Sequence, residues 1–204
     1  MNPLVIGLEG MLGKHRLDIL NGVRVGIGGA GGLGSNVAAH LVRSGFTRLL
    51  LVDFDRVEPS NLNRQFFFAD QVGRFKVDAL AENLLRINPE VKLTLIREFV
   101  TSENVQRIFG LCDIWVEAFD KPESKKIFVE NAIQLGKRIV SASGLAGWGN
   151  SDALITKFWN SKAAIVGDGK SAVGPDCPPI SPRVGVAAAK QADVVLAWAL
   201  AEEG

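Results

Sequence analysis

The sequence contains no tyrosine and only two histidines, two methionines and two cysteines in 204 residues. Two thiols, Cys112 and Cys177, exclude a disulfide framework and a four-thiolate zinc cage, and a reducing compartment fits them. His15 and His40 share no ligand-like spacing with each other or with the cysteines, so no zinc is expected. Neither sign of charge is in excess. Against 22 acids stand 23 lysines and arginines, a formal net charge of +1, so no global field recruits a polyanion and nucleic acid is not an expected partner. No apolar run approaches the roughly 20 residues of a membrane-spanning helix. The start Met1-Asn2-Pro3-Leu4-Val5-Ile6 also lacks the basic region and long apolar stretch of a secretory leader. These absences lead to the expectation of a soluble cytoplasmic protein with no membrane partner.

What is present is ordinary for a folded globular chain: 47% hydrophobic and 22% charged residues. The length matches one large domain, expected over residues 1–204, with a core that needs no covalent or metal staple. Short β-rich runs alternate with longer helical stretches, the pattern of an α/β sheet. Strands are expected at Val23–Gly28, Leu49–Asp53, Leu93–Phe99, Ile114–Ala118 and Arg138–Ser143, and helices at Gly34–Ser44, Phe75–Ile87 and Lys121–Leu135. Gly45 is expected to end the first helix and Asn88-Pro89 the second. Ala153–Phe158 and Ala163–Val166 read as an antiparallel extension joined at Asn160-Ser161-Lys162. A Gly- and Pro-rich loop, 167–181, then leads into a buried C-terminal helix at Val184–Ala201.

The most informative punctuation follows the first strand. Gly29, Gly31 and Gly34 have the G-x-G-x-x-G spacing, with Gly32 between them, after a strand and before a helix. Glycine is needed there for the tight turn, for backbone approach to a phosphate and for helix–strand packing, and the freed amides at the helix start bind an anion. Asp53 closes the second strand about 20 residues beyond Gly34, where an acid takes up a ribose hydroxyl pair. A carboxylate at this position serves NAD as well as ATP, and no Walker A loop is present.

Past Asp53, the segment Asp53-Phe54-Asp55 and then Ser60-Asn61-Leu62-Asn63-Arg64-Gln65 has no use in a dehydrogenase. It offers a second acid in Asp55, polar Asn61 and Gln65, and the fixed cation Arg64, with Lys76 at the start of the next helix. Two cations beside nucleotide phosphates suit nucleotidyl transfer, where negative charge builds on the α-phosphate and the departing pyrophosphate. Taken singly, each residue has a plainer reading: Asp53 and Asp55 as strand terminators, Arg64 as a surface cation, Lys76 as a solvated first-turn residue, Asp120 as a helix cap.

Together with Arg86-Ile87-Asn88-Pro89, Asp120 and the region from Pro182 to Gln191, these motifs resemble the ThiF/MoeB/HesA family, bacterial relatives of ubiquitin-activating enzymes. The resemblance implies a doubly wound, mostly parallel, Rossmann-like sheet and an ATP-dependent adenylyltransferase. Its substrate would be the C-terminal Gly carboxylate of a small ubiquitin-like sulfur carrier protein ending in Gly-Gly, with pyrophosphate released. By the same resemblance Asp53 holds the ribose, Asn61 and Arg64 the phosphates, Lys76 the phosphate under attack, and Asp120 a Mg²⁺ ion. Gly29, Gly31, Gly32, Gly34, Asp55 and Gln65 complete the nucleotide site. The short, zinc-free form is most similar to the ThiF-type branch that serves a ThiS-like carrier in thiamine thiazole synthesis. A molybdopterin- or cysteine-pathway carrier, a NAD-dependent oxidoreductase and a non-catalytic carrier-binding module stand as alternatives.

The resemblance also implies a homodimer. It further implies that Cys177, within Gly174-Pro175-Asp176-Cys177-Pro178-Pro179, either joins the carrier covalently or is a free loop thiol, with Lys170 and Arg183 as nearby cations and Asp176 opposing them. Cys112 is expected in the core. Relatives carry a longer N-terminal helical segment with an arginine that reaches the partner subunit. Here the match is expected to begin late, which leaves only Arg16 for that part. Carrier and sulfurtransferase activities are expected from other chains.

Overall fold

The computed structural model of the chain describes residues 2–201. Its elements begin with α1 (Pro3–Leu12), α2 (Lys14–Gly22), β1 (Arg24–Gly28), α3 (Gly32–Arg43), β2 (Arg48–Val52), α4 (Lys76–Ile87) and β3 (Lys92–Ile96). They continue through α5 (Val105–Phe109), β4 (Ile114–Glu117), α6 (Pro122–Gln134), β5 (Arg138–Ala142), β6 (Ile155–Asn160), β7 (Ala163–Gly167) and α7 (Ser181–Leu200). The seven strands form one sheet in the order β3-β2-β1-β4-β5-β7-β6. Six are parallel, and only β6 runs antiparallel, against β7, with a register slip between Phe158 and Asn160. Connections leave β1 in one direction and return to its other side at β4. That reversal opens a crevice at the carboxyl ends of the strands, the place where open α/β sheets bind ligands.

A parallel sheet must be covered on both faces. Alternate residues of the strands serve the two layers: Val25, Ile27, Leu49 and Leu51 pack with α3, α4 and α7, while Leu50, Val52 and Trp115 pack with α5 and α6. β1 reads Arg-Val-Gly-Ile-Gly because its second face is lined by aromatic rings. A Cβ on Gly26 would stand 2.7 Å from Phe109 Cδ1, and one on Gly28 2.5 Å from Phe119 Cζ. Phe109 and Phe128 stack edge to face at 4.7 Å, with Trp115 against both, and Cys112 is buried beside them as expected. Burial pushes the Cys112 thiol up to about 12, against a smaller opposing pull from Arg24.

Helix ends follow their local chemistry. α3 closes in a Schellman turn: Gly45 takes φ 103°, its amide donates to Val42 O, and the Phe46 amide donates to Leu41 O. α4 stops where Asn88, held extended before Pro89, cannot continue the helix.

One segment carries elements that were not expected, and two expected boundaries need correction. Residues 3–22 form two helices, announced by Asn2 as a side-chain cap and Pro3 in the first turn, but α1 buries no residue and so shows no core-facing periodicity. β3 ends at Ile96 rather than Phe99, because its partner β2 ends in register at Val52. The C-terminal helix begins at Ser181, three residues before the apolar run, with Pro182 in its first turn.

Two glycines of equal helical rank should respond oppositely to alanine. In α3, a Cβ on Gly34 would lie 1.8 Å from the backbone oxygen of Gly29, whereas Gly185 in α7 faces open space. Chemical denaturation should find Gly34→Ala destabilised by on the order of 3 kcal/mol and Gly185→Ala stabilised by roughly 0.5 to 1 kcal/mol.

Candidate active site

The carboxyl end of β1 turns sharply at Gly29, whose φ is 95° and whose amide donates to Val52 O at 2.8 Å. Gly31 caps α3 without any side chain, and the first bond back to it is from the Ser35 amide at 3.1 Å. The earlier amides of the turn therefore lack helical acceptors and form a positive helix pole. Asp53 fixes this loop from the neighbouring strand. Its Oδ2 accepts the Ala30 amide at 2.7 Å and its Oδ1 the Asp55 amide at 2.8 Å. Burial raises the Asp53 carboxyl above the usual carboxylate range, while Lys76 and the two amides pull it back.

Lys76 opens α4 and is 6% exposed, which removes the reading of a solvated first-turn residue. Its Nζ reaches Asp55 Oδ2 at 3.0 Å, and its amide donates to Asp55 O at 2.9 Å. Asn61 shapes the intervening turn, its Oδ1 accepting the Glu58 amide at 3.1 Å and its own amide donating to Glu58 O at 2.9 Å. Arg64 Nη1 donates to Ser60 O at 3.1 Å and to Asn63 Oδ1 at 2.8 Å. This segment is clamped to the glycine helix: Ser35 Oγ accepts the Phe66 amide, and Asn36 Nδ2 donates to both Gly32 O and Arg64 O. Gln65 is buried over Gly31, and its Oε1 has no hydrogen-bond partner among the described residues.

Two cavities meet here. One, of about 220 Å³, is lined by Gly29, Gly31, Asp53, Asp55, Lys76 and Asp120 together with apolar residues. The other, of about 250 Å³, is lined by Asp55, Asn61, Arg64, Gln65, Lys76 and Asp120 with Arg56 and Glu58. Asp55, Lys76 and Asp120 belong to both and form the seam between them. Of the residues singled out in the sequence, Gly32 and Gly34 line neither cavity: Gly34 packs on Gly29, and Gly32 faces Val184 and the Arg64 stem.

The first cavity also contains residues that sequence reasoning missed: Phe54, Glu98, Phe99, Val100, Phe119, Lys121 and Ser124. Phe54 and Phe99 meet at 5.3 Å in an edge arrangement, with the Lys121 ammonium over the Phe99 ring at 5.4 Å. The available signal was positional. Each follows the carboxyl end of a strand, β2, β3 or β4, on the same edge as Asp53, and extending β3 to Phe99 concealed it.

Asp120 sits one residue before Lys121, the N-cap of α6, and makes no capping bond, which sets aside the cap reading. The turn that carries it is built on Glu117, a fully buried carboxylate at the end of β4. Glu117 Oε1 accepts the Phe119 amide at 2.8 Å, while Oε2 takes bonds from Lys125 Nζ and Ser141 Oγ. Gln191 Nε2 of α7 donates to Glu117 O at 3.0 Å, so four elements converge on this residue.

Cys177 lines neither cavity and is half-buried against Gly147, in a turn closed by paired bonds between the backbones of Gly174 and Cys177. Arg183, expected beside the thiol, is instead 5% exposed and engaged by Asp168 at 2.7 Å and by the carbonyls of Gly149 and Asn150. Burial opposes ionisation of Asp168. The Ser171 hydroxyl and amide, the Lys170 amide and Arg183 outweigh it and hold the carboxyl well below the usual range. This cluster anchors the loop between β7 and α7. Arg16 is exposed on α2, its guanidinium near Leu12 O.

Comparison with known proteins gives the geometry its context. The ThiF family profile matches residues 5–203, so the match begins at the N-terminal helices and not late as expected. The chain is 40% identical over 141 residues to the adenylyltransferase and sulfurtransferase uba4 of Aspergillus clavatus, covering 69% of this chain and 27% of that protein. It is 36% identical over 143 residues to the corresponding Candida glabrata protein, covering 70% and 32%. The chain thus spans about a quarter to a third of the length of these relatives. Among solved structures it is similar to the E. coli tRNA N6-threonylcarbamoyladenosine dehydratase TcdA in complex with ATP, at 23% identity and a TM-score of 0.81, covering 95% of this chain and 90% of that one. It is also similar to E. coli MccB with AMPCPP and MccA, at 25% identity and a TM-score of 0.69, covering 90% and 57%.

The Asp168 cluster sets a pH signature. A carboxyl with a lowered folded value contributes stability that is fully present above its unfolded value, about 3.9, and is lost as pH falls through the folded value. Asp168→Asn should therefore destabilise by about 2 kcal/mol near neutral pH. In denaturation measured across pH, the gap to the parent should be flat from neutrality down to about pH 5 and narrow below about pH 4.

Proposed function

Because the chain belongs to the ThiF family, we propose that it is a nucleotidyltransferase that uses ATP to adenylylate the C-terminal glycine carboxylate of a small ubiquitin-like carrier protein. The observation that carries this reading is the seam of Asp55, Lys76 and Asp120 shared by two adjoining cavities. An adenosine fits the first, among Asp53, Phe54, Phe99 and Phe119, and the phosphates fit between the glycine turn and the second. The relatives named as adenylyltransferases and the AMPCPP bound by MccB support the same assignment.

In this reading Asp53, whose oxygens each accept one amide, keeps a second lone pair on each for the ribose hydroxyls. Asn61 and Gln65 shape the phosphate end, and Arg64 neutralises charge on the departing pyrophosphate. Lys76, which lines both cavities, serves the α-phosphate and exchanges Asp55 for a phosphate oxygen when the nucleotide enters. The carrier carboxylate attacks the α-phosphorus, its oxygen bonding to phosphorus as the bond to the β-phosphate oxygen breaks. The nucleophile is already an anion, so no general base is required, and positioning and charge neutralisation supply the acceleration.

The donor set fits Mg²⁺. Asp120 makes no ion pair among the described residues, and it lines both cavities together with Asp55. A hard cation held by one or two carboxylates and by phosphate oxygens matches this. When bound, it would shield charge on the phosphates.

The finer reading is a ThiS-like carrier of thiamine thiazole synthesis, resting on the motif resemblance. The uba4 relatives support a sulfur carrier as the substrate class without selecting that pathway. A homodimer is part of the proposal and is checked by light scattering at twice the chain mass. Cys177, outside both cavities, takes no part in adenylylation, and any covalent step through it follows the adenylate.

ATP–pyrophosphate exchange with a Gly-Gly-ended carrier tests the assignment. Lys76→Ala and Arg64→Ala should each slow exchange by on the order of 100-fold, and Cys177→Ser should leave it unchanged. Parent-like exchange by both cation variants would overturn the reading, as would saturable NAD binding in place of ATP.

A further inference from the structure

The edge of the sheet opposite the crevice has its own chemistry. Arg24, Arg48 and Lys92 are the first residues of β1, β2 and β3, paired in register Arg24 to Arg48 and Arg48 to Lys92. Register neighbours in a parallel sheet point to the same face, with strands about 4.8 Å apart, so the three side chains stand side by side. Leu50 and Thr94, two residues along from Arg48 and Lys92, point to that face too, the one covered by α5 and α6. α5 is only 5 residues long, and Thr94 is left exposed. The result is a cavity of about 150 Å³ lined by Arg24, Arg48, Leu49, Leu50, Lys92 and Thr94.

No acid lines this cavity, and none of its three cations makes an ion pair among the described residues. Two other basic residues at this end of the sheet are engaged by backbone carbonyls: Arg138 donates to Trp198 O and Lys162 to Gly136 O. The side chains of Arg24, Arg48 and Lys92 have no such acceptor among the described residues. The nearby acid, Asp113, directs Oδ2 to the Arg24 amide at 2.8 Å, on the backbone rather than the guanidinium. In a chain with a net charge of +1, three uncompensated cations in one recess are a local concentration of charge.

We propose that this recess binds a phosphate group. Two guanidinium forks and an ammonium, with the Thr94 hydroxyl as a neutral donor, converge from different directions and match the tetrahedral oxygens of a phosphate better than the planar pair of a carboxylate. The volume holds the phosphate and not a nucleoside, so the rest of any ligand lies outside over the open part of the sheet. The same chemistry serves a small phosphoanion or the phosphodiester of a single-stranded RNA. The site lies at the opposite end of the strands from the nucleotide crevice and is independent of it.

The test fills the crevice with a non-hydrolysable ATP analogue and Mg²⁺. Inorganic pyrophosphate is then titrated by calorimetry and a labelled oligouridylate by fluorescence anisotropy, at about 50 mM and about 200 mM salt. Saturable binding of at least one probe is expected, weakened about tenfold or more by the double substitution Arg24→Gln with Arg48→Gln and less by Thr94→Val. Thermal melting and ATP–pyrophosphate exchange should stay at parent values. Pyrophosphate binding alone identifies a small anion as the ligand, and oligonucleotide binding that falls steeply with salt identifies nucleic acid. No saturation by either probe, or parent-like binding by the double variant, overturns the proposal.

Discussion

The active-site end of the molecule depends on one carboxylate. Asp53 receives the Ala30 amide of the glycine turn on one oxygen and the Asp55 amide on the other, so two loops from different strands share one reference point. Removing a carboxylate from water is unfavourable, and its raised proton affinity records that. The neighbouring Lys76 ammonium offsets part of it and is in turn positioned by Asp55. The site is thus a chain of alternating charge, glycine turn to Asp53 to Lys76 to Asp55. In the proposed reaction an incoming polyphosphate would compete with Asp55 for a cation that is already buried and aimed, leaving little reorganisation for the reactive step.

A second hub lies deeper. Glu117 binds Lys125 of α6, Ser141 of β5 and the amide that begins the Asp120 turn, and its carbonyl receives Gln191 of α7. One strand further on, Ser143 O and Gly144 O accept the amides of Gly169 and Asp168. Asp168 then ties down Arg183 and the long loop. The turn bearing Asp120 and the loop bearing Cys177 are therefore connected through β5 and a short run of hydrogen bonds, although Cys177 lines neither cavity of the crevice.

The parts that were legible in the sequence are those whose reason is local. Gly34 announces itself because a backbone oxygen occupies the space a Cβ would need, and Asp53 and Lys76 because each sits at the boundary of a strongly patterned element. Asn88-Pro89 and Gly45 marked helix ends through backbone sterics alone. What stayed hidden depends on distant partners. Phe99 and Lys121 matter only because the ends of β3 and β4 converge on the crevice. Glu117 reads as one more apolar-strand terminator until Lys125 and Ser141 surround it. Arg183 looked like a thiol's counter-ion in sequence and proved to be a structural clasp, because Asp168 lies 15 residues upstream across a loop whose path local pattern does not encode.

The register slip in β6 has a consequence for the molecule's behaviour in a crowded solution. β6 is the last strand of the sheet and displays Phe158 and Trp159 to solvent, a combination of open amides and aromatic side chains that invites another chain to add on. The slip between Phe158 and Asn160 interrupts the ladder at the aromatic pair. An incoming strand can therefore match the spacing of only part of β6 before its bonds fall out of phase. A single extra residue limits the edge to short, specific encounters and keeps it from templating an indefinite stack.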